Sequence, residues 1–256
     1  MQRPASASVP SANPLLRQGD GTFASRRGFS LVELVVVMGI VVILMSLLMP
    51  GLREVREATR RLQCGNHMRM IGIGIVAYGG DHLERMPYSR NAERKSFHDL
   101  MALSDTTGEP AFDGLGLLLP YRGGGYVGHR GCFFCPSHCG HHEAERNMPL
   151  LHRPGPVRVF GNFHYRGHLD RHGQRLLLGA EGDRMVVLTD GLRTRSDFNH
   201  VHGSNTLRSD GSVQWWYDAE GSVRRALPEQ PVAEGPNPQF EAFFFDMLDR
   251  LSHASR

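Results

Sequence analysis

The chain has 256 residues, with 29 Lys and Arg against 26 Asp and Glu and a formal net charge of +3. The first 28 residues account for this whole excess of positive charge, since they contain four arginines and one aspartate. The rest of the chain therefore has a formal net charge of zero. The small excess of basic residues therefore does not indicate a nucleic-acid partner. Residues 1–25 are rich in Pro, Ser and Ala, which predicts disorder.

An apolar run of 21 residues follows, from Phe29 to Met49, and 17 of them are Phe, Leu, Val, Ile or Met. As a helix it is about 32 Å long, enough to cross a hydrocarbon layer of about 30 Å. Its only charge is Glu33. The apolar side chains favour insertion by about 6 kcal/mol, which exceeds the cost of roughly 3 kcal/mol for one acid. The run predicts a transmembrane helix over residues 29–50. It is too long for a secretory signal peptide.

Helical spacing continues after this run. The pair Pro50-Gly51 predicts a kink or a break. Residues 51–81 then predict an amphipathic helix that ends near Gly79-Gly80-Asp81. The apolar stripe expected to face a core consists of Leu52, Val55, Thr59, Leu62, Ile73 and Val76.

A globular head is predicted over residues 82–225, with little periodicity in residues 143–183. The predicted strands are Arg175–Leu178, Met185–Leu188, Asn205–Arg208 and Ser212–Tyr217. Asp-Gly pairs at residues 190–191 and 210–211 are typical of hairpin turns, which require a positive φ. Strand alternation places Trp215 and Trp216 on opposite faces, so only one can enter the core.

Residues 226–256 predict a Pro-rich linker and then an amphipathic helix that begins at Asn237-Pro238. Its apolar face consists of Phe240, Phe243, Phe244, Met247, Leu248 and Leu251. Two interpretations fit this face: the helix docks on the head, or it binds a partner.

The segment Gly28-Phe29-Ser30-Leu31-Val32-Glu33 resembles the processing site of type IV prepilins and type II secretion pseudopilins. The resemblance implies that residues 1–28 are a leader peptide, which a prepilin peptidase removes by cutting the chain after Gly28. It also implies that the same enzyme then methylates Phe29. It implies that Glu33 assists assembly with identical or other pilin-like subunits. It also implies a single-pass inner-membrane protein with a cytoplasmic N-terminus and a periplasmic or extracellular head.

The same resemblance implies a fold class. We expect an α+β protein in which a long N-terminal helix, transmembrane in its first half and amphipathic in its second, packs on a small antiparallel-sheet head.

A second resemblance concerns His200, which precedes Asp210-Gly211 by the spacing H-x9-DG found in a large family of prepilin-like proteins. Residues 60–68 and 135–137 also resemble motifs of that family, with His67 and Met68 as departures. Turn chemistry explains the residues in part: Gly211 takes the left-handed position, Asp210 bonds turn amides, and His200 bonds a nearby backbone group. A metal site formed by Asp190, His200 and Asp210 is the alternative.

Cysteine and histidine residues crowd into residues 129–142. The spacing Cys132-x2-Cys135 suits two thiolates that clamp a zinc ion, with His138 and Cys139 as further candidate ligands. Disulfide bonds are the competing interpretation of these cysteines, because cysteines outside the cytoplasm usually pair. The pair suggested by the resemblance is Cys64–Cys135, which closes a loop of roughly 70 residues for about 4 kcal/mol. Free thiols are the third possibility, so zinc is not a firm cofactor.

The sequence favours a structural subunit over an enzyme, since no catalytic motif is recognised in it. The expected partners are the membrane, the prepilin peptidase and methylase, and other pilin-like subunits. The alternative function is an extracytoplasmic binding module that a pilin-type anchor tethers to the membrane. A zinc enzyme built on the His-rich loop is a third hypothesis, for which no acid or base is securely placed.

Overall fold

The computed structural model describes residues 28–106, 112–120, 125–152, 157–178, 185–200, 202–232 and 235–253. The chain divides into two compact units between Pro50 and Gly51, and each unit is described by itself. The predicted leader lies outside the described residues except for Gly28.

The fold is α+β, as predicted. Within the described residues the helices are α1 (Leu31–Asp81), α2 (Arg90–Glu93), α3 (Ala144–Asn147), α4 (Ser222–Ala226) and α5 (Pro238–His253). The strands are β1 (Phe163–Tyr165), β2 (Val186–Asp190), β3 (Gly203–Arg208) and β4 (Val213–Tyr217). Short 3₁₀ turns lie at Phe97–Asp99, Gly114–Leu118, Arg130–Phe133 and Met148–His152.

Helix α1 ends at Asp81, where the two glycines predicted its end. The helical backbone continues through Pro50 and Gly51, so the expected break is absent.

The predicted core-facing stripe of the second half of α1 is wrong. Leu52, Val55, Leu62, Ile73 and Val76 are exposed. The buried face instead consists of Cys64, Met68, Ile71, Ile75 and Tyr78.

Small residues explain which face of α1 meets the sheet. A Cβ atom on Gly72 would lie 3.0 Å from a methyl carbon of Leu207 in β3, so the glycine permits this close approach. The helix can therefore approach the sheet more closely with the side that carries Gly72 than with the bulkier stripe predicted from periodicity.

The four strands form one antiparallel sheet in the order β1-β2-β3-β4. The β3–β4 hairpin confirms the prediction for residues 205–217, and Gly211 adopts a φ of 80° in its turn. The backbone N–H of Ser212 donates to Asp210 Oδ1 at 2.8 Å, which is the expected turn bond.

Two predictions about the sheet need correction, and one strand was not predicted. Asp190 and Gly191 do not form a hairpin turn, since Asp190 is the last residue of β2 and pairs with Phe163. Residues 175–178 form isolated bridges rather than a strand. Strand β1, by contrast, lies inside the region that showed no periodicity, because a three-residue strand is too short to display alternation.

The sheet has an apolar cluster on each side. One cluster joins the buried face of α1 to Leu188 and Leu207, and the other joins α5 to Val186. Trp216 packs against the second cluster, whereas Trp215 lies beside Arg61, whose guanidinium carbon is 4.4 Å from the ring centroid.

Helix α5 docks on the head, which confirms the first interpretation of its apolar face. Its buried residues are Phe240, Phe244, Phe245, Met247, Leu248 and Leu251. Arg208 of β3 also holds its C-terminal end, donating to the carbonyls of Leu251 and Ser252 at 2.7 and 2.8 Å. Phe245 is buried although periodicity did not select it, because Phe97 and Arg166 also contact its ring.

Replacement of Phe244 by Ala should therefore destabilise the head. This side chain is fully buried, and removing a buried phenylalanine costs about 3–5 kcal/mol. The free energy of unfolding in urea measures the loss. Phe243→Ala is the matched control, since Phe243 is only partly buried and should lose clearly less. Equal losses in the two variants would contradict the docked position of α5.

His164 makes the head sensitive to acid. Its Nε2–H donates to the carbonyl of Phe97 at 2.7 Å, and burial lowers the pKa of the imidazole from 6.5 to about 3. Between these values the unfolded chain binds a proton that the folded chain does not, so this residue lowers stability as the pH falls from 6.5 towards 3.

The measurement is the free energy of unfolding between pH 7 and pH 4 for the wild type and for His164→Gln. The variant should show a smaller slope against pH, by up to about 1.4 kcal/mol per pH unit. An unchanged slope would show that His164 is not held neutral in the folded state.

Candidate functional site

The start of α1 is held by a capping box. Ser30 precedes the helix, and its hydroxyl accepts from the N–H of Val32 at 3.3 Å. Glu33 reaches back and accepts from the N–H of Ser30 at 2.9 Å. The two side chains thus satisfy N–H groups that the helix leaves without partners. Sequence reasoning missed this role of Glu33, although the pattern S-x-x-E encodes it.

The helix that follows has the dimensions of a membrane span. Residues Leu31–Met49 form a helical segment of 19 residues, long and apolar enough to cross a membrane, and none of it is buried. Its large apolar side chains are exposed from Leu31 to Met49. Hydrocarbon is the medium in which such a surface is stable.

A second candidate site lies in the head, where residues from distant parts of the sequence meet. Its four members are Cys64, Cys135, Asp190 and His200, here called the Cys64 cluster. All four are buried, and their potential ligand atoms lie within 4.8 Å of one another.

Each member of the Cys64 cluster comes from a different element. Cys64 lies on the buried face of α1, and Cys135 follows the 3₁₀ turn Arg130–Phe133. Asp190 ends β2, and His200 leads into β3 through a backbone bridge to Gly203. The cluster therefore exists only when helix and sheet are packed together.

Hydrogen bonds fix the carboxylate of Asp190. The backbone N–H of Asn205 donates to Oδ2 at 2.6 Å, and the side-chain amide of Asn199 donates to Oδ1 at 3.0 Å. The thiol of Cys64 also donates to Oδ1, at 3.3 Å. This carboxylate is fully buried, so these donors replace the water that it loses.

The imidazole of His200 is oriented by a hydrogen bond at Nδ1, the ring nitrogen that faces away from the cluster. Its Nδ1–H donates to Glu57 Oε1 at 2.6 Å, and the other oxygen of Glu57 accepts from the hydroxyl of Ser137 at 2.9 Å. His200 Nε2 therefore points into the cluster, 3.6 Å from the sulfur of Cys135 and 3.9 Å from Asp190 Oδ1. The expected bond from His200 to a backbone group is replaced by this contact with Glu57.

The two thiols of the cluster differ in acidity. Burial, the hydrogen bond with Cys135 and the charge of Asp190 raise the pKa of Cys64 well above its usual value. Burial also opposes ionisation of Cys135, but its interactions with Cys64 and His200 outweigh burial and lower the pKa of that thiol. Burial likewise opposes the charged form of His200, yet Cys135, Asp190 and Glu57 raise its pKa to about 9.

The structure does not bring the predicted zinc set together. Among the described residues, the cluster includes Cys135 but not Cys132, His138 or Cys139. The 3₁₀ turn places Cys132 in the apolar core, where burial raises the pKa of its thiol to about 12, and Cys139 is exposed. The Nδ1–H of His138 donates to Asn199 Oδ1 at 2.7 Å.

The structure does bring together the two cysteines of the rival disulfide prediction. Cys64 and Cys135 are both free thiols, and their sulfurs lie within 4.8 Å of each other. Of the alternative metal set, Asp190 and His200 meet, whereas Asp210 lies exposed at the far end of β3.

Glu57 and Asn199 are the functional residues that sequence reasoning missed. Glu57 precedes Cys64 by seven residues, which places both on the same face of α1, and this spacing could have identified it. Nothing local distinguishes Asn199, whose position depends on the packed loop before β3.

A Cys–His–carboxylate arrangement of this kind also occurs in nucleophilic catalysis. Here the residues Cys135 and His200 are only 5% and 1% exposed. Because both residues are buried among the described residues, the geometry favours a closed site.

Comparison with protein families gives two matches. Residues 23–49 match the family described as "Prokaryotic N-terminal methylation motif". Residues 53–121 match the family described as "Protein of unknown function (DUF1559)". The two matches together support a type IV pilin-like protein. The search of curated proteins and the search of solved structures found no match.

The first match supports a pilin-type protein that prepilin peptidase processes, and the apolar helix Leu31–Met49 supports its anchoring in a membrane. The second match ends at residue 121, so it reaches Cys64 but not Cys135, Asp190 or His200. The resemblance of residues 200–211 to the H-x9-DG motif stays a prediction.

Proposed function

We propose that this pilin-like protein is a structural subunit that is cut after Gly28, methylated at Phe29 and added to a membrane-rooted assembly of pilin-like subunits. The observation that carries the proposal is the methylation motif over residues 23–49, directly followed by an exposed apolar helix. The assembly would be of the type II secretion or type IV pilus kind.

The role of Glu33 in assembly follows from electrostatics. Cleavage after Gly28 leaves an ammonium group on Phe29, four residues before Glu33. In a low-dielectric layer either charge alone is costly, and their attraction is much stronger than in water. A neighbouring subunit that supplies the ammonium group lowers this cost, so it is added in one register.

The orientation in the proposal follows from the peptidase. The leader, residues 1–28, is cytoplasmic, the apolar helix spans the inner membrane, and the head lies in the periplasm or outside the cell. The head needs no catalytic site for this function.

A tethered binding module is the alternative, and one cavity in the head favours it. The cavity has a volume of about 430 Å³, within the range of ligand sites, and its lining includes Tyr78, His82, Tyr88, His168 and Arg175. Under this function any transmembrane anchor would serve, so Glu33 would not be needed.

Processing at Gly28 should be visible in the mass of the native protein. Material extracted from membranes should lack residues 1–28 and carry one added methyl group at Phe29, because one enzyme performs both steps in the proposal. Intact-mass spectrometry measures both changes. Gly28→Leu should retain the full mass, and native wild-type protein that begins at Met1 would overturn the assignment.

Replacement of Glu33 by Gln should leave cleavage intact and reduce assembly by about tenfold or more, a factor equal to about 1.4 kcal/mol. Glutamine removes the charge but still suits the capping box, so the helix start is preserved. Photo-crosslinking between copies through residues 29–50 measures assembly in membranes.

Ser30→Ala is the matched control for Glu33→Gln. It removes the hydroxyl that accepts from Val32 but keeps the charge of Glu33, so assembly should remain near the wild-type level. Normal assembly of Glu33→Gln would favour the tethered module. An equal loss in both variants would assign the effect to the helix cap rather than to the charge.

A further inference from the structure

We propose that the Cys64 cluster binds one zinc ion through the sulfurs of Cys64 and Cys135, an oxygen of Asp190 and Nε2 of His200. The ion would join α1, the loop after the 3₁₀ turn, the end of β2 and the segment before β3. This site is independent of the proposed assembly function and differs from the zinc set predicted from the CxxC spacing.

The distances in the cluster fit tetrahedral coordination. Zinc bonds of about 2.3 Å to sulfur and about 2.0–2.2 Å to nitrogen or oxygen imply separations of about 3.4–3.8 Å between ligand atoms. The Cys64 Sγ–Asp190 Oδ1 distance is 3.3 Å, and the Cys135 Sγ–His200 Nε2 distance is 3.6 Å. His200 Nε2 and Asp190 Oδ1 are 3.9 Å apart. In these three pairs the ligand atoms need to move by only tenths of an ångström, and all the ligand atoms lie within 4.8 Å of one another.

The donor set favours zinc over the other common divalent ions. Two thiols and an imidazole are ligands for zinc or other transition metals, whereas calcium and magnesium prefer oxygen. Four protein ligands leave no open position, which is typical of a structural rather than a catalytic zinc site. Binding would release to solvent the protons that the two thiols hold and the Nε2 proton that His200 carries below its pKa of about 9.

The groups around the cluster match those that support metal ligands. Zinc-bound histidines commonly donate their other ring N–H to a carboxylate, and His200 donates Nδ1–H to Glu57 at 2.6 Å. Ligating carboxylates are themselves hydrogen-bonded, and Asp190 accepts from Asn199 and Asn205. These contacts already orient Nε2 and the carboxylate towards the two sulfurs.

A Cys64–Cys135 disulfide is the main rival, and it uses only half of the cluster. It would remove the thiol that donates to Asp190 Oδ1, although that carboxylate is fully buried. It also gives no role to the convergence of Asp190 and His200 on the two sulfurs. A zinc ion uses all four groups of the cluster.

The test uses the full-length protein, extracted in detergent and purified without a reducing agent. Metal analysis should find one zinc per chain. After denaturation in chelator all four cysteines of the chain should react with a thiol reagent. Wild-type protein with a Cys64–Cys135 linked peptide after non-reducing digestion and without zinc would overturn the proposal.

Two variants and two matched controls locate the site. Cys64→Ser and His200→Ala should lose the zinc, while Cys139→Ser and His202→Ala should retain one equivalent, because Cys139 and His202 are exposed and lie outside the cluster. Zinc that persists in Cys64→Ser, or that is lost in Cys139→Ser, would refute the ligand assignment.

Cobalt substitution keeps the test independent of whether a variant folds. Wild-type protein stripped of metal by chelator and given one equivalent of Co²⁺ should show thiolate-to-cobalt charge transfer and the visible bands of a tetrahedral ion. Metal-free wild-type protein with four free thiols that binds neither zinc nor cobalt would also overturn the proposal.

Discussion

The hydrogen bond of 2.6 Å between Glu57 and His200 ties the helix to the sheet in this head. Its two partners are 143 residues apart in sequence, and it orients the imidazole that faces Cys135 and Asp190. Each of the buried polar groups around it depends on the others, because an unmatched carboxylate or imidazole in a dry interior is costly. Correct packing of α1 against the sheet is therefore the condition for a satisfied polar core.

The same packing explains the choice of helix face. Helix α1 carries apolar residues on more than one side, so periodicity alone could not decide which side is buried. Cys64, Met68 and Ile71 are covered because this side carries the glycine that lets Leu207 approach. The polar cluster and the small residue act on the same face, and together they set the register between helix and sheet.

The N-terminal unit obeys a different physical rule. Its apolar side chains are exposed, and the carboxylate of Glu33 caps the helix start in the uncut chain. Cleavage after Gly28, as proposed, would place an ammonium group next to this cap. One side chain would then serve two purposes in turn, first local hydrogen bonding and then attraction of a neighbouring subunit.

The sequence by itself determined what depends on local order: the methylation motif, the apolar span, the α+β class, the 205–217 hairpin and the amphipathic C-terminal helix. These features follow from neighbours within a few residues, which is the range over which periodicity, capping and turn chemistry act. Only the tertiary structure decided the buried face of α1, the strand at 163–165 and the meeting of Cys64, Cys135, Asp190 and His200. Spacing along the chain favoured Cys132 and Cys139 as partners of Cys135, because a local motif cannot report contacts between residues more than 60 positions apart.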